Sequence, residues 1–114
     1  MTYRSIFKPG AFAGQVVVVT GGGSGIGRCT AHELAALGAQ VVLVGRKLEK
    51  LQAVAAEIEA DNPSAPKPSL HTCDIRQEDT VKATVAAIVA QHGRIDGLVN
   101  NAGGQYITPL EKIG

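Results

Sequence analysis

The sequence predicts an α/β fold in which a doubly wound parallel sheet carries helices on both faces. Three observations point there: short continuous β-branched runs, longer stretches with apolar residues at steps of three and four, and regular alternation between the two. Continuous apolar strands are those buried on both faces, and a β-α-β order calls for right-handed crossovers that place helices over a parallel sheet.

Val16 to Val19 is the first buried strand, bounded by Gly14 before and a glycine cluster after. From about Ser24 to Leu37, the residues Ile26, Cys29, Thr30, Leu34 and Leu37 mark one face of a helix, and Gly38 is its stop. Val41 to Val44 is a second strand, and Leu48, Leu51, Val54, Ala55 and Ile58 outline a second amphipathic helix. The proline-rich stretch 61–68 cannot continue that helix and reads as a surface loop. Ser69 to Cys73 fits a short third strand. A third helix, from about Gln77 to Gln91, shows Val81, Val85, Ile88 and Val89 on one face, with Gly93 as its stop. Ile95 to Asn100 fits a fourth strand, and the residues after it read as an irregular tail. There is no internal repeat and no domain boundary.

A chain of 114 residues is the size of one domain. Hydrophobic residues at 45% and charged residues at 18% exclude a disordered tail. A net charge of +1 supplies no general pull towards nucleic acid or anionic membrane, so neither is expected as a partner. The longest apolar run, Val85 to Ala90, is too short to span a bilayer. Cys29 and Cys73 lack the spacing of a disulfide framework or zinc site, which suits free thiols in a reducing, cytoplasmic setting.

The informative excess is glycine, 14 residues where average usage gives about eight. Five fall between positions 21 and 27, in the turn between the first strand and the first helix. A dinucleotide site needs glycine there to turn the chain off the strand, to let backbone approach a pyrophosphate and to pack the helix close. The helix N-terminus then offers free N–H groups and a positive dipole end. A G-x-G-x-x-G fingerprint fails in every register. A P-loop nearly fits from Gly22 to Gly27, but Arg28 and Cys29 replace the lysine and hydroxyl residue it requires. What fits is T-G-x-x-x-G-x-G, through Thr20, Gly21, Gly25 and Gly27.

With that turn, the chain from about Phe12 onward resembles the short-chain dehydrogenase/reductase family. Two further motifs stand in the family's order: Cys73-Asp74-Ile75 after the third strand, and Asn100-Asn101-Ala102-Gly103 after the fourth. The resemblance implies a Rossmann-type sheet, here incomplete with about four strands and three helices. It also implies hydride transfer between a nicotinamide cofactor and a small-molecule carbonyl, alcohol or activated double bond. Its cofactor-binding residues would be Gly21, Ser24, Gly25, Ile26 and Gly27, with Asp74 near the adenine amino group and Ile75 lining that pocket. Asn101 would brace the sheet while Ala102 and Gly103 leave room for the cofactor. Plainer roles compete at two of these places: Asp74 to Gln77 also reads as a capping box for the third helix, and Asn and Gly both favour turns.

Arg46 lies nineteen residues after Gly27, at the end of the second strand. An NAD-preferring fold places an acid there to grip the ribose hydroxyls, whereas Arg accommodates the 2′-phosphate of NADP. No acid occurs between Gln40 and Leu48, so NADP(H) is expected over NAD(H). The plainer alternative is that Arg46 and Lys47 only begin a charged helix surface.

Catalytic residues are not found. The family's engine is Y-x-x-x-K with an upstream Ser, but Tyr3 is followed four positions on by Phe7, and Tyr106 by Leu110. Ser5, Ser24, Ser64 and Ser69 lie in the wrong places, and His32, His71 and His92 suit surface or packing roles. The chain therefore reads as residues 1–114 of a single nucleotide-binding domain, cut before its catalytic segment. By the same resemblance, the full-length protein is a homo-oligomer through helices further downstream. A nucleotide-binding module without turnover is the competing class. The segments Gly45-Arg46-Lys47-Leu48-Glu49-Lys50-Leu51 and Gly103-Gly104-Gln105-Tyr106 are similar to the branch containing trans-2-enoyl-CoA reductases and citronellol/citronellal dehydrogenases. That branch implies an acyl-CoA or terpenoid substrate. Ending at a fourth strand would leave an apolar sheet edge unpaired, which invites aggregation.

Overall fold

The computed structural model describes residues 10–21, 25–100 and 106–108. Strands β1 (Val16–Thr20), β2 (Gln40–Gly45), β3 (Ser69–Thr72) and β4 (Gly97–Asn100) alternate with helices α1 (Gly25–Ala36), α2 (Leu48–Asp61) and α3 (Glu78–His92). These four strands are parallel, in the order β3-β2-β1-β4. The expected fold class is the one observed. The apolar runs behave as strands buried on both faces must. Val17, Val19, Val41 and Leu43 enter the core under α1 and α2, while Val16, Val18, Val42 and Val44 enter the core under α3. Each fully buried aliphatic side chain of this kind contributes about 1.5–3 kcal/mol.

One expectation fails at the edge. The tail is not wholly irregular, because Tyr106–Thr108 forms a fifth strand, β5, antiparallel to β4 with Val99 opposite Ile107. The β4 edge is therefore covered, not bare. Three residues after a glycine-rich stretch are too few to show any periodicity, so the sequence carries no strand signal there.

The face assigned to α1 also needs correction. Ile26 is 51% exposed and Cys29 is exposed, while the Thr30 hydroxyl donates back to the Ile26 carbonyl at 2.8 Å. The residues that meet the sheet are Gly27, Ala31 and Ala35, at steps of four, with Leu34 and Leu37 beside them. Small side chains let the helix lie close to the strands, and a reading weighted towards large apolar residues rotates the face away from them. In α2 the expected face is correct: Leu51, Val54, Ala55 and Ile58 are buried, although Leu48 at the helix start is 43% exposed. The helix runs on through Asp61, and Pro63 stops it, since the residue before a proline is driven out of helical geometry.

Helix α3 is thinly anchored. Ile88 is buried, whereas Val85 and Val89 are 42% and 43% exposed. Gly93 ends it as expected, in the left-handed region at φ +81°, with its N–H donating to the Val89 carbonyl at 2.7 Å. The start of β4 is tied to the start of β1 by a reciprocal pair. The Asp96 N–H donates to the Val16 carbonyl at 2.7 Å, and the Val16 N–H donates to Asp96 Oδ2 at 2.8 Å.

Candidate nucleotide site

In an open parallel sheet, ligands settle outside the carboxyl ends of the strands where the strand order reverses. Here that point lies between β1 and β4, since the chain passes from β1 outward through β2 and β3 before returning to β4. The sequence-predicted site residues that fall in the described chain all cluster at this end.

The glycines divide three tasks. Gly21 leaves β1 at φ +67°, and its N–H donates to the Val44 carbonyl at 2.8 Å, which holds the turn against β2. Gly25 opens α1 at φ +53°, and a Cβ there would point into open space. Gly27, two residues further on, is buried. These are the strand exit, the close backbone approach and the close helix packing that a bound pyrophosphate requires. No acidic residue lies in the first turn of α1, so its positive end is not neutralised from within the helix. Ile26 stands exposed beside Gly25. Ser24, Asn101, Ala102 and Gly103 lie outside the described residues.

Thr20 and Asn100 join the two strands that flank this crevice. The Thr20 hydroxyl lies 3.0 Å from Asn100 Oδ1 and 3.3 Å from the Val99 carbonyl. Both residues stand in motifs visible in the sequence, but the cross-tie joins positions 80 apart and leaves no local signal.

At the adjoining strand ends, the Cys73 N–H donates to the Gly45 carbonyl at 2.9 Å, and Arg46 and Asp74 are the next residues on each strand. Arg46 and Lys47 are exposed. Gly45 passes close to α2, since a Cβ there would lie 3.2 Å from Leu51 Cδ2. Asp74 is held by Arg76: Oδ1 accepts from the Arg76 backbone N–H and Nε, both at 3.0 Å, and Oδ2 accepts from Nη2 at 2.9 Å. The Arg76 side chain, then its backbone N–H, pull the Asp74 carboxyl down to about 2, and the Arg46 charge acts in the same direction. The capping-box reading is thus wrong in its residue. Gln77 occupies the N-cap of α3 without a side-chain cap bond, and Asp74 shapes the preceding turn, its carbonyl accepting from the Gln77 N–H at 3.0 Å. Ile75 packs against the core under α3.

The donor set fits a dinucleotide phosphate: an unneutralised helix N-terminus, open space at Gly25 and an exposed guanidinium beside an ionised carboxylate. No group of three His, Cys, Asp or Glu side chains that could hold a metal ion occurs among the described residues. Two of the histidines meet polar side chains of other elements. His32 Nε2 lies 3.1 Å from Glu57 Oε1, His92 Nε2 lies 2.8 Å from Ser69 Oγ, and His71 Nε2 is buried with no hydrogen-bond partner among the described residues. No helix among the described residues is long and apolar enough to cross a membrane.

Comparison with known proteins agrees with this geometry. The family described as short chain dehydrogenase matches residues 15–113. A citronellol catabolism dehydrogenase of Pseudomonas aeruginosa PAO1 is 61% identical with a TM-score of 0.83, over 98% of this chain and 44% of that one. A metagenomic short-chain oxidoreductase in complex with NADP is 46% identical with a TM-score of 0.77, over 82% of this chain and 41% of that one. A peroxisomal 2,4-dienoyl-CoA reductase of Danio rerio is 36% identical over 97% of this chain and 36% of its own length. The chain thus spans less than half the length of these relatives.

Proposed function

The chain belongs to the short-chain dehydrogenase family, and on that premise we propose that it is the NADP(H)-binding portion of an oxidoreductase acting on a carbonyl, alcohol or enoyl substrate. It is the N-terminal part of one Rossmann domain. The observation that carries this reading is the turn in which Gly21 and Gly25 take positive φ and Gly27 is buried, with Arg46 at the neighbouring strand end. When bound, the nicotinamide ring supplies or accepts the hydride. The residues here hold and orient the nucleotide: the α1 N-terminus faces the pyrophosphate, Asp74 accepts from the adenine amino group, and Arg46 grips the 2′-phosphate. Ser24, Asn101, Ala102 and Gly103 complete the same site.

No Y-x-x-x-K occurs in the 114 residues, so the roles proposed for them are confined to holding the nucleotide. Substrate class is terpenoid or acyl-CoA, supported by the names of the citronellol catabolism and dienoyl-CoA relatives. A cytoplasmic setting is supported by Cys29 and Cys73, both free. Titration calorimetry with NADPH and NADH tests the cofactor assignment. NADPH is expected to bind more tightly, and Arg46→Ala is expected to remove about tenfold or more of that preference, the weight of a charge-assisted hydrogen bond. Equal binding of the two dinucleotides would refute it.

A further inference from the structure

We infer that Arg76 is a specificity-determining positioning residue: by occupying the Asp74 carboxylate, it leaves the Arg46 guanidinium free for the nucleotide's 2′-phosphate. The inference deepens the NADP(H) reading above and rests on it.

The geometry sets up a competition for one carboxylate. Gly45 stands opposite Thr72 in the β2–β3 pairing, and the Cys73 N–H closes onto the Gly45 carbonyl at 2.9 Å. Arg46 and Asp74 therefore leave adjacent strand ends side by side. Arg28 shows how a guanidinium can span both oxygens of a carboxylate, meeting Glu57 Oε1 at 2.7 Å and Oε2 at 3.0 Å. Arg46 makes no such pair among the described residues. Both Asp74 oxygens already accept from Arg76, two bonds on Oδ1 and one on Oδ2, which leaves room on Oδ2 for a single amino N–H but not for a second fork.

Arg76 has the advantage of proximity. It lies two residues from Asp74 in a turn fixed by the Gln77 N–H and by the Thr80 hydroxyl, which donates to the Asp74 carbonyl at 3.1 Å. The closure is local, whereas Arg46 would have to reach across from another strand. The consequence concerns the phosphate. An Arg46 engaged by Asp74 would have its planar donors consumed, and a negative charge would lie beside the incoming dianion. With Arg76 in place, the negative charge is already answered and Arg46 keeps its donors.

Calorimetric titration of the chain with 2′-phospho-ADP-ribose and with ADP-ribose reads the effect, because the two ligands differ only in that phosphate. In Arg76→Ala, the affinity ratio in favour of the phosphorylated ligand is expected to fall roughly fivefold, the size of an exposed ion pair. Adding Asp74→Asn to that variant is expected to restore the ratio, since the competing charge is gone. Arg76 is 73% exposed along its side chain, so folding should survive, and circular dichroism checks it. An unchanged ratio in Arg76→Ala overturns the inference. So does a fallen ratio that Asp74→Asn does not restore, which would make Arg76 itself a phosphate ligand. A wild type with no preference removes the NADP(H) reading and this inference with it. A preference abolished by Arg46→Ala but untouched by Arg76→Ala removes this inference alone.

Discussion

At the scale of single residues, the site was legible wherever a role depends on sequence neighbours and hidden wherever it depends on a distant strand. The glycine turn, Arg46 and Asp74 stand out because their spacing along the chain is itself the signal. Asp96 does not, since its partner is the backbone N–H of Val16, 80 positions away. Yet Asp96 fastens the start of β4. Arg94, bonded to Oδ1 at 2.6 and 3.0 Å, is the main influence that lowers its carboxyl from the ordinary range, and the Val16 N–H adds to it. A carboxylate depressed in the folded state stabilises above its unfolded pKa, and that contribution is lost as pH falls through the folded value. Asp96→Asn should therefore cost about 1–2 kcal/mol at neutral pH, the worth of charge-assisted bonds. The gap to wild type should close in acid, below the ordinary carboxylate range. Urea unfolding of both proteins at the two pH values checks this, and a gap independent of pH would mean that the charge of Asp96 is not what matters.

At the scale of elements, the strands of the β-α-β-α-β-α-β series were readable from short runs between turns and the helices from periodicity, but the orientation of α1 was not. Its true contact stripe, Gly27, Ala31 and Ala35, is made of residues too small to register as hydrophobic, whereas Ile26 and Cys29 register and stand exposed. The small stripe is a packing requirement: the helix must approach the sheet closely enough to aim its N-terminus over the crevice at Gly21 and Gly25. Ala31 has no exposed surface, so Ala31→Leu must push the helix outward and should cost about 1–3 kcal/mol by overpacking. Cys29→Ser, two residues earlier and exposed, should stay within about 0.5 kcal/mol of wild type. Denaturant unfolding of the two variants decides between the faces. The reverse ranking would support the face read from the sequence.

At the scale of the whole molecule, the described residues cover the two faces of the sheet unequally. On one face α1 and α2 pack together and α2 alone buries Leu51, Val54, Ala55 and Ile58, with Arg28, His32 and Glu57 linking the helices at their outer rim. On the other face α3 buries Ile88, with Val85 and Val89 more than two-fifths exposed. Periodicity does not reveal this asymmetry, because α3 has a respectable apolar stripe and what it lacks is a neighbour among the described residues. Local stability follows the density of buried apolar contacts, so opening should be uneven as well. Amide hydrogen exchange should find α3 released well before β1, β2 and α2, which open only with the whole sheet. Ile88→Ala removes the one deeply buried anchor of the helix and should widen that gap, weakening α3 by about 2–4 kcal/mol. The same substitution should accelerate exchange in α3 while leaving the protection of β1 and β2 unchanged. Uniform protection across all three helices would show that the exposed valines do not mark a weak side of the fold.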